Sequence, residues 1–121
     1  MVTTEAILSN VVFGVPSGNY DGSSQDWYSD AAQAAAYYRG RGGLQTMLVY
    51  VTGFVGSIVI EATLDTVPTS VDTKWFVTDS YVSNSPLTDY HPINITGNFT
   101  WIRLRIENFD AGTINAVTIS Y

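Results

Sequence analysis

Ser57-Ile58-Val59-Ile60-Glu61-Ala62-Thr63-Leu64 and Thr100-Trp101-Ile102-Arg103-Leu104-Arg105-Ile106 both alternate with a period of two. Successive side chains of an extended chain point to opposite faces, so this period marks a strand with one covered face. In the first stretch Ile58, Ile60, Ala62 and Leu64 share the covered face, while Ser57, Val59, Glu61 and Thr63 take the other. In the second, Ile102, Leu104 and Ile106 point inward, and Trp101, Arg103 and Arg105 share the outer face. An aromatic and two cations therefore stand together. Glu61 and Glu107 are the acidic side chains placed to pair with Arg103 or Arg105 across neighbouring strands.

Working outward, residues 44–52 are apolar on both sides, through Leu44, Leu48 and Tyr50 on one and Met47, Val49 and Val51 on the other. That pattern predicts a central strand covered twice. Further strand signals lie at residues 3–8, 11–15, 74–82, 93–95 and 113–121, where Val117, Ile119 and Tyr121 line one side. Gly53, Gly56, Pro68, Pro86, Gly97 and Gly112 punctuate them. The sum predicts an all-β fold: a single antiparallel β-sandwich or jelly roll of about eight strands, occupying residues 1–121 as one domain. One segment departs from the pattern. Asp30 is placed to cap a short helix near residues 30–38, through Ala31, Ala32, Ala34, Ala35 and Ala36, with Gly40, Gly42 and Gly43 beyond it. The polar stretch before it, residues 18–30, reads as a long loop carrying Tyr20, Trp27 and Tyr28.

The chain has 121 residues, of which 45% are hydrophobic and only 13% charged, which describes a compact body rather than a disordered tail. Its surface must lean on Thr, Ser, Asn and Tyr, a composition that suits protein or sugar contacts. The net charge of -6 repels phosphate backbones, so no nucleic-acid partner is expected. No stretch approaches the ~20 apolar residues of a membrane helix, so no membrane partner and a soluble protein are expected. The chain has no cysteine, which leaves no disulfide, thiol nucleophile or thiolate metal site.

Catalytic constellations are sparse. His91 is the lone histidine and no Gly-x-Ser-x-Gly elbow accompanies it, so it reads as a loop residue before Pro92. Glu61 and Glu107 are the carboxylates that a glycosidase-like cleft would have to use, and pairing with the arginines is the favoured reading. The oxygen-rich loop Asn19, Asp21, Ser23, Asp26 and Asp30 lacks the ordered spacing and final glutamate of a calcium loop. No catalytic residue, metal or cofactor is expected. The aromatic set Tyr20, Trp27, Tyr28, Tyr37 and Tyr38 has three readings: cover over one end of the sandwich, an intersubunit contact, or a sugar-stacking surface.

A succession of residues adds a resemblance. Gly43-Leu44-Gln45-Thr46, then residues 54–61 (FVGSIVIE) with Leu64 and Pro68, then Trp75, then Gly97-Asn98-Phe99-Thr100-Trp101-Ile102-Arg103, then Gly112-Thr113-Ile114 resembles β-sandwich virion proteins of tailed bacteriophages, including marine and cyanobacterial ones. The resemblance implies a non-enzymatic structural protein of the virion. It would be a capsid decoration or cement protein, or a small fibre or tail appendage module. Its partners would be other capsid or tail proteins and further copies of itself, as a trimer or on a symmetric lattice. The absence of collagen-like, coiled-coil or repeat segments separates it from long fibres. The alternative is a carbohydrate-binding module for host-surface glycan.

Overall fold

The structure, a computed structural model, describes residues 4–34, 44–65, 74–97 and 99–120. It contains β1 (Thr4–Val12), β2 (Trp27–Tyr28), β3 (Ala32–Gln33), β4 (Leu44–Thr63), β5 (Phe76–Thr96) and β6 (Trp101–Ser120). They form one antiparallel sheet in the order β1-β6-β4-β5, with β2 and β3 added to β6. β1 lies along the second half of β6, and β2 and β3 lie along its first half.

β4, β5 and β6 have 20, 21 and 20 residues. A straight strand of that length would span about 65 Å, whereas a chain this size packs into a body of radius of gyration ~14 Å. The strands must bend, and they do so on a common line. The β4–β5 and β4–β6 registers shift between Val51 and Gly56 and between Thr52 and Ser57. On β6 the line passes Asn108, with a φ of 53°, and Gly112, with a φ of 89°. Gly112 needs its missing side chain, because a Cβ there would land on the backbone carbonyl of Gly53.

The bend resets the alternation. Met47, Val49 and Val51 face inward before it, and Phe54, Ile58, Ile60 and Ala62 after it. These residues and Ile102, Leu104, Ile106, Phe109, Ile114, Val117 and Ile119 belong to a single buried cluster. One face of the whole sheet therefore makes one core.

Several expectations change. The separate strands expected at residues 44–52 and 57–64 are two halves of β4, and those at 74–82 and 93–95 belong to β5. Residues 4–8 and 11–12 likewise join in β1, residue 3 lying outside the described residues, while residues 13–15 turn away from the sheet. The coverage of β4 is the reverse of the expected one. In its first half only the Gln45, Met47, Val49 and Val51 face is buried, whereas every residue from Ile58 to Thr63 is buried. Leu64, expected inward, is exposed beyond the strand end.

No helix occurs at residues 30–34; the remainder of the expected helix, with Tyr37 and Tyr38, lies outside the described residues, as does Tyr121. The cause is the open edge of β6. Ser29 N donates to Leu104 O (2.8 Å) and Ala34 N to Thr100 O (2.9 Å), so the backbone pairs with the sheet rather than with itself. Buried Ala32 and Ala34 are small enough to let it lie close. The Asp30 carboxylate accepts from Asn19 Nδ2 (2.9 Å) instead of capping.

Candidate functional site

The aromatic set read from the sequence divides in two. Tyr20 and Trp27 are buried, their ring centroids 5.4 Å apart, and both pack on Phe109 at 5.1 and 6.3 Å. Phe54 and Phe13 reach the same Phe109 ring at 5.8 and 5.5 Å. Tyr20 also accepts a hydrogen bond from Gly14 N at 2.9 Å, fixing the loop above it. These two rings are part of the buried core cluster.

Tyr28 does otherwise. β2 pairs Tyr28 with Arg105 and Trp27 with Ile106, so as Trp27 enters the core Tyr28 is turned to the outer face. There the Arg103 guanidinium lies between two rings, 4.3 Å from the Tyr28 centroid and 4.4 Å from that of Trp75. Arg103 Nε donates to Glu61 Oε1 at 2.7 Å, and Arg105 Nη1 to Glu61 Oε2 at 3.0 Å. Arg105 also pairs with Glu107 at 3.6 Å. Trp101 begins the same strand opposite Thr63 and Gln33.

This cluster explains why the second half of β4 is covered on both sides. Glu61, Val59 and Thr63 lie beneath it, and the burial of Glu61 is compensated by two cations. The two glutamates are thus both engaged by arginines, sharing Arg105, with Glu61 reached across the strands and Glu107 along β6 itself.

The acidic loop also turns its oxygens apart. Asp21 accepts from Ser23 N and Ser24 N at 2.8 and 2.7 Å, and these bonds hold its carboxyl down at about 2. Asp26 accepts from Asn108 N at 3.0 Å, while Asp30 takes the Asn19 amide. Among the described residues no group of three or more His, Asp or Glu side chains is placed to hold a metal ion. His91 is on β5 opposite Val49 rather than in a loop, with its ring 5.0 Å from Tyr81.

A second outer surface escaped the sequence reading, on the open side of the first half of β4. Cross-strand register arranges it in rows. Thr4, Ser120, Thr46 and Asn94 form one, with Thr46 Oγ1 donating to Asn94 Oδ1 at 2.7 Å. Ala6, Thr118, Leu48 and Pro92 form the next, and Ser9, Ala116, Tyr50 and Tyr90 the third. None of the twelve is charged. Tyr50 and Tyr90 stack at 4.1 Å with their planes 12° apart, and Tyr90 keeps 62% of its surface exposed. Their shared hydrogen bond raises the Tyr90 hydroxyl above the ordinary phenol value.

The outer edge of β5 is a further surface. β5 pairs with β4 alone among the described residues. Val77 and Val82 on it are 55% and 56% exposed, and Phe76 is exposed with them. No known protein-family model matches the chain, and no curated protein matches it at a significant level of similarity.

Proposed function

We propose that the chain is a non-enzymatic structural protein of a bacteriophage virion, a capsid decoration or cement protein or a small fibre or tail appendage module. In this reading the bent sheet is the sandwich-like body of such a protein, its halves closing on the shared core, and neighbouring virion proteins or further copies cover its edge. The observation that carries it is the edge of β5. An unpaired strand edge offers a row of free backbone donors and acceptors, which natural proteins blunt with proline or charge or cover with a partner. Pro86 and Pro92 blunt the second half of β5. Its first half, residues 76–83, has no proline and one charge, Asp79, beside exposed Phe76, Val77 and Val82. Virion kind comes from the sequence resemblance; the edge supplies the mode of contact.

The test is reconstitution on particles stripped of this chain. The unmodified protein is expected to rebind, while the doubly substituted Val77→Lys/Val82→Lys protein, folded by circular dichroism, is expected not to. Equal rebinding by both would reject the edge as the contact. A carbohydrate-binding role is the second reading, favoured by the exposed Tyr50–Tyr90 stack on its uncharged face.

A further inference from the structure

We propose that the outer face around Tyr50 is a binding site for a neutral oligosaccharide, with one sugar ring stacked on Tyr50 above Ala116. This deepens the carbohydrate reading and is independent of the β5 edge. Tyr50 and Tyr90 stand on adjacent strands and stack against each other with one face each. The opposite side of Tyr50 looks over β6, where its register partner is Ala116, followed on β1 by Ser9. Two small residues beside a standing ring leave a slot two strand spacings wide, about 10 Å, which admits a pyranose edge-on. Thr118 in the next row supplies a hydroxyl that can both donate and accept, as sugar hydroxyls require.

Charge and size select the ligand. The chain carries a net charge of -6, yet none of the twelve residues in these rows is charged, so the rows themselves offer no counter-charge to an anionic or a cationic partner. The three rows of four strands, continued by Val12, Thr113 and Thr52 at one end and by Leu44 and Thr96 at the other, cover about 550 Å², short of the ~800 Å² per partner that a stable protein interface buries. The face is too small to hold a second copy of the chain on its own. It is large enough for a few sugar units, whose apolar ring faces suit tyrosine and whose hydroxyls suit Thr, Ser and Asn.

The experiment is titration of the isotopically labelled full chain with gluco-, galacto-, manno- and N-acetylglucosamine hexamers and with sulfated counterparts, followed by amide shifts. At least one neutral hexamer is expected to shift Tyr50, Ala116 and Thr118. Its affinity should fall at least tenfold in Tyr50→Ala and in Ala116→Leu, which fills the slot without disturbing the tyrosine stack. Binding that survives both substitutions would overturn this site while leaving a carbohydrate role elsewhere on the molecule. Absence of binding by every neutral hexamer, preference for sulfated ones, or concentration-dependent self-association through the same residues would overturn the site and its ligand class together.

Discussion

Replacing Glu61 by glutamine removes one negative charge from a side chain that is only 6% exposed and lies between two arginines. Arg103 and Arg105 are two residues apart on one face of β6, so they repel each other wherever the intervening carboxylate is lost. Breaking a fully buried pair by deleting one partner costs about 3–5 kcal/mol. Here the arginine side chains keep 25% and 31% of their surface in water, and solvent screens part of that cost. The expected loss is therefore about 2–3 kcal/mol, read from urea denaturation. At roughly 3–5 °C per kcal/mol for a chain between the small and medium size classes, the melting temperature falls by about 6–15 °C. Adding Arg103→Gln to Glu61→Gln should cost less than the sum of the two single changes, since the second removes the charge that the first left unpaired. A Glu61→Gln protein melting within 2 °C of the parent, or strict additivity in the double variant, would refute the reasoning.

Three further outcomes follow from the core and the bend. Phe109→Ala, which empties the ring shared by Tyr20, Trp27, Phe54 and Phe13, is expected to cost about 3–5 kcal/mol in urea denaturation. Gly112→Ala, at a φ of 89° and against the Gly53 backbone, is expected to cost about 2–3 kcal/mol, also read from urea denaturation. Burial, then the charge of Asp89 and the hydrogen bond to it, push the Tyr81 phenol from 10.0 up to about 12. Folding thus favours the neutral phenol, and the stability it lends is full below pH 10 and lost as pH rises toward 12. Comparing the parent with Tyr81→Phe in urea at pH 9 and pH 11 should show a steeper alkaline loss in the parent.

The outer face of β6 was legible because period-two alternation reports facing directly. Arg103 and Arg105 came out where the pattern put them, and Glu61 paired with both. Other features were hidden for physical reasons. A glycine that kinks a continuous strand looks the same in sequence as one that ends it, so Gly53 and Gly112 were read as boundaries rather than as the bend. The alanine run has high intrinsic helix propensity, but the open edge of β6 offers its backbone tertiary partners, and residues 32–33 became a strand. Trp27 and Tyr28 looked like loop residues because two residues of strand are too short to show a period.

The Tyr50–Tyr90 stack depends on which strands pair, which periodicity within one strand does not contain. What could have pointed to it was the same doubly apolar pattern in residues 44–52. Only one side of that stretch was needed for the core, and the other was left facing outward, half-buried or exposed. The Arg103 ladder was half visible in the same way. The place of Trp75 beside the guanidinium emerges only once β5 is set beside β4.

Electron cryomicroscopy of phage particles assembled in the presence of this chain tests most directly the central claim, that the chain is a virion protein. The account predicts copies of the chain at symmetric positions, each with residues 76–83 of β5 hydrogen-bonded or packed against a neighbouring protein and with Val77 and Val82 buried there. Particles without the chain, or copies in which that edge faces solvent at every position, would contradict it.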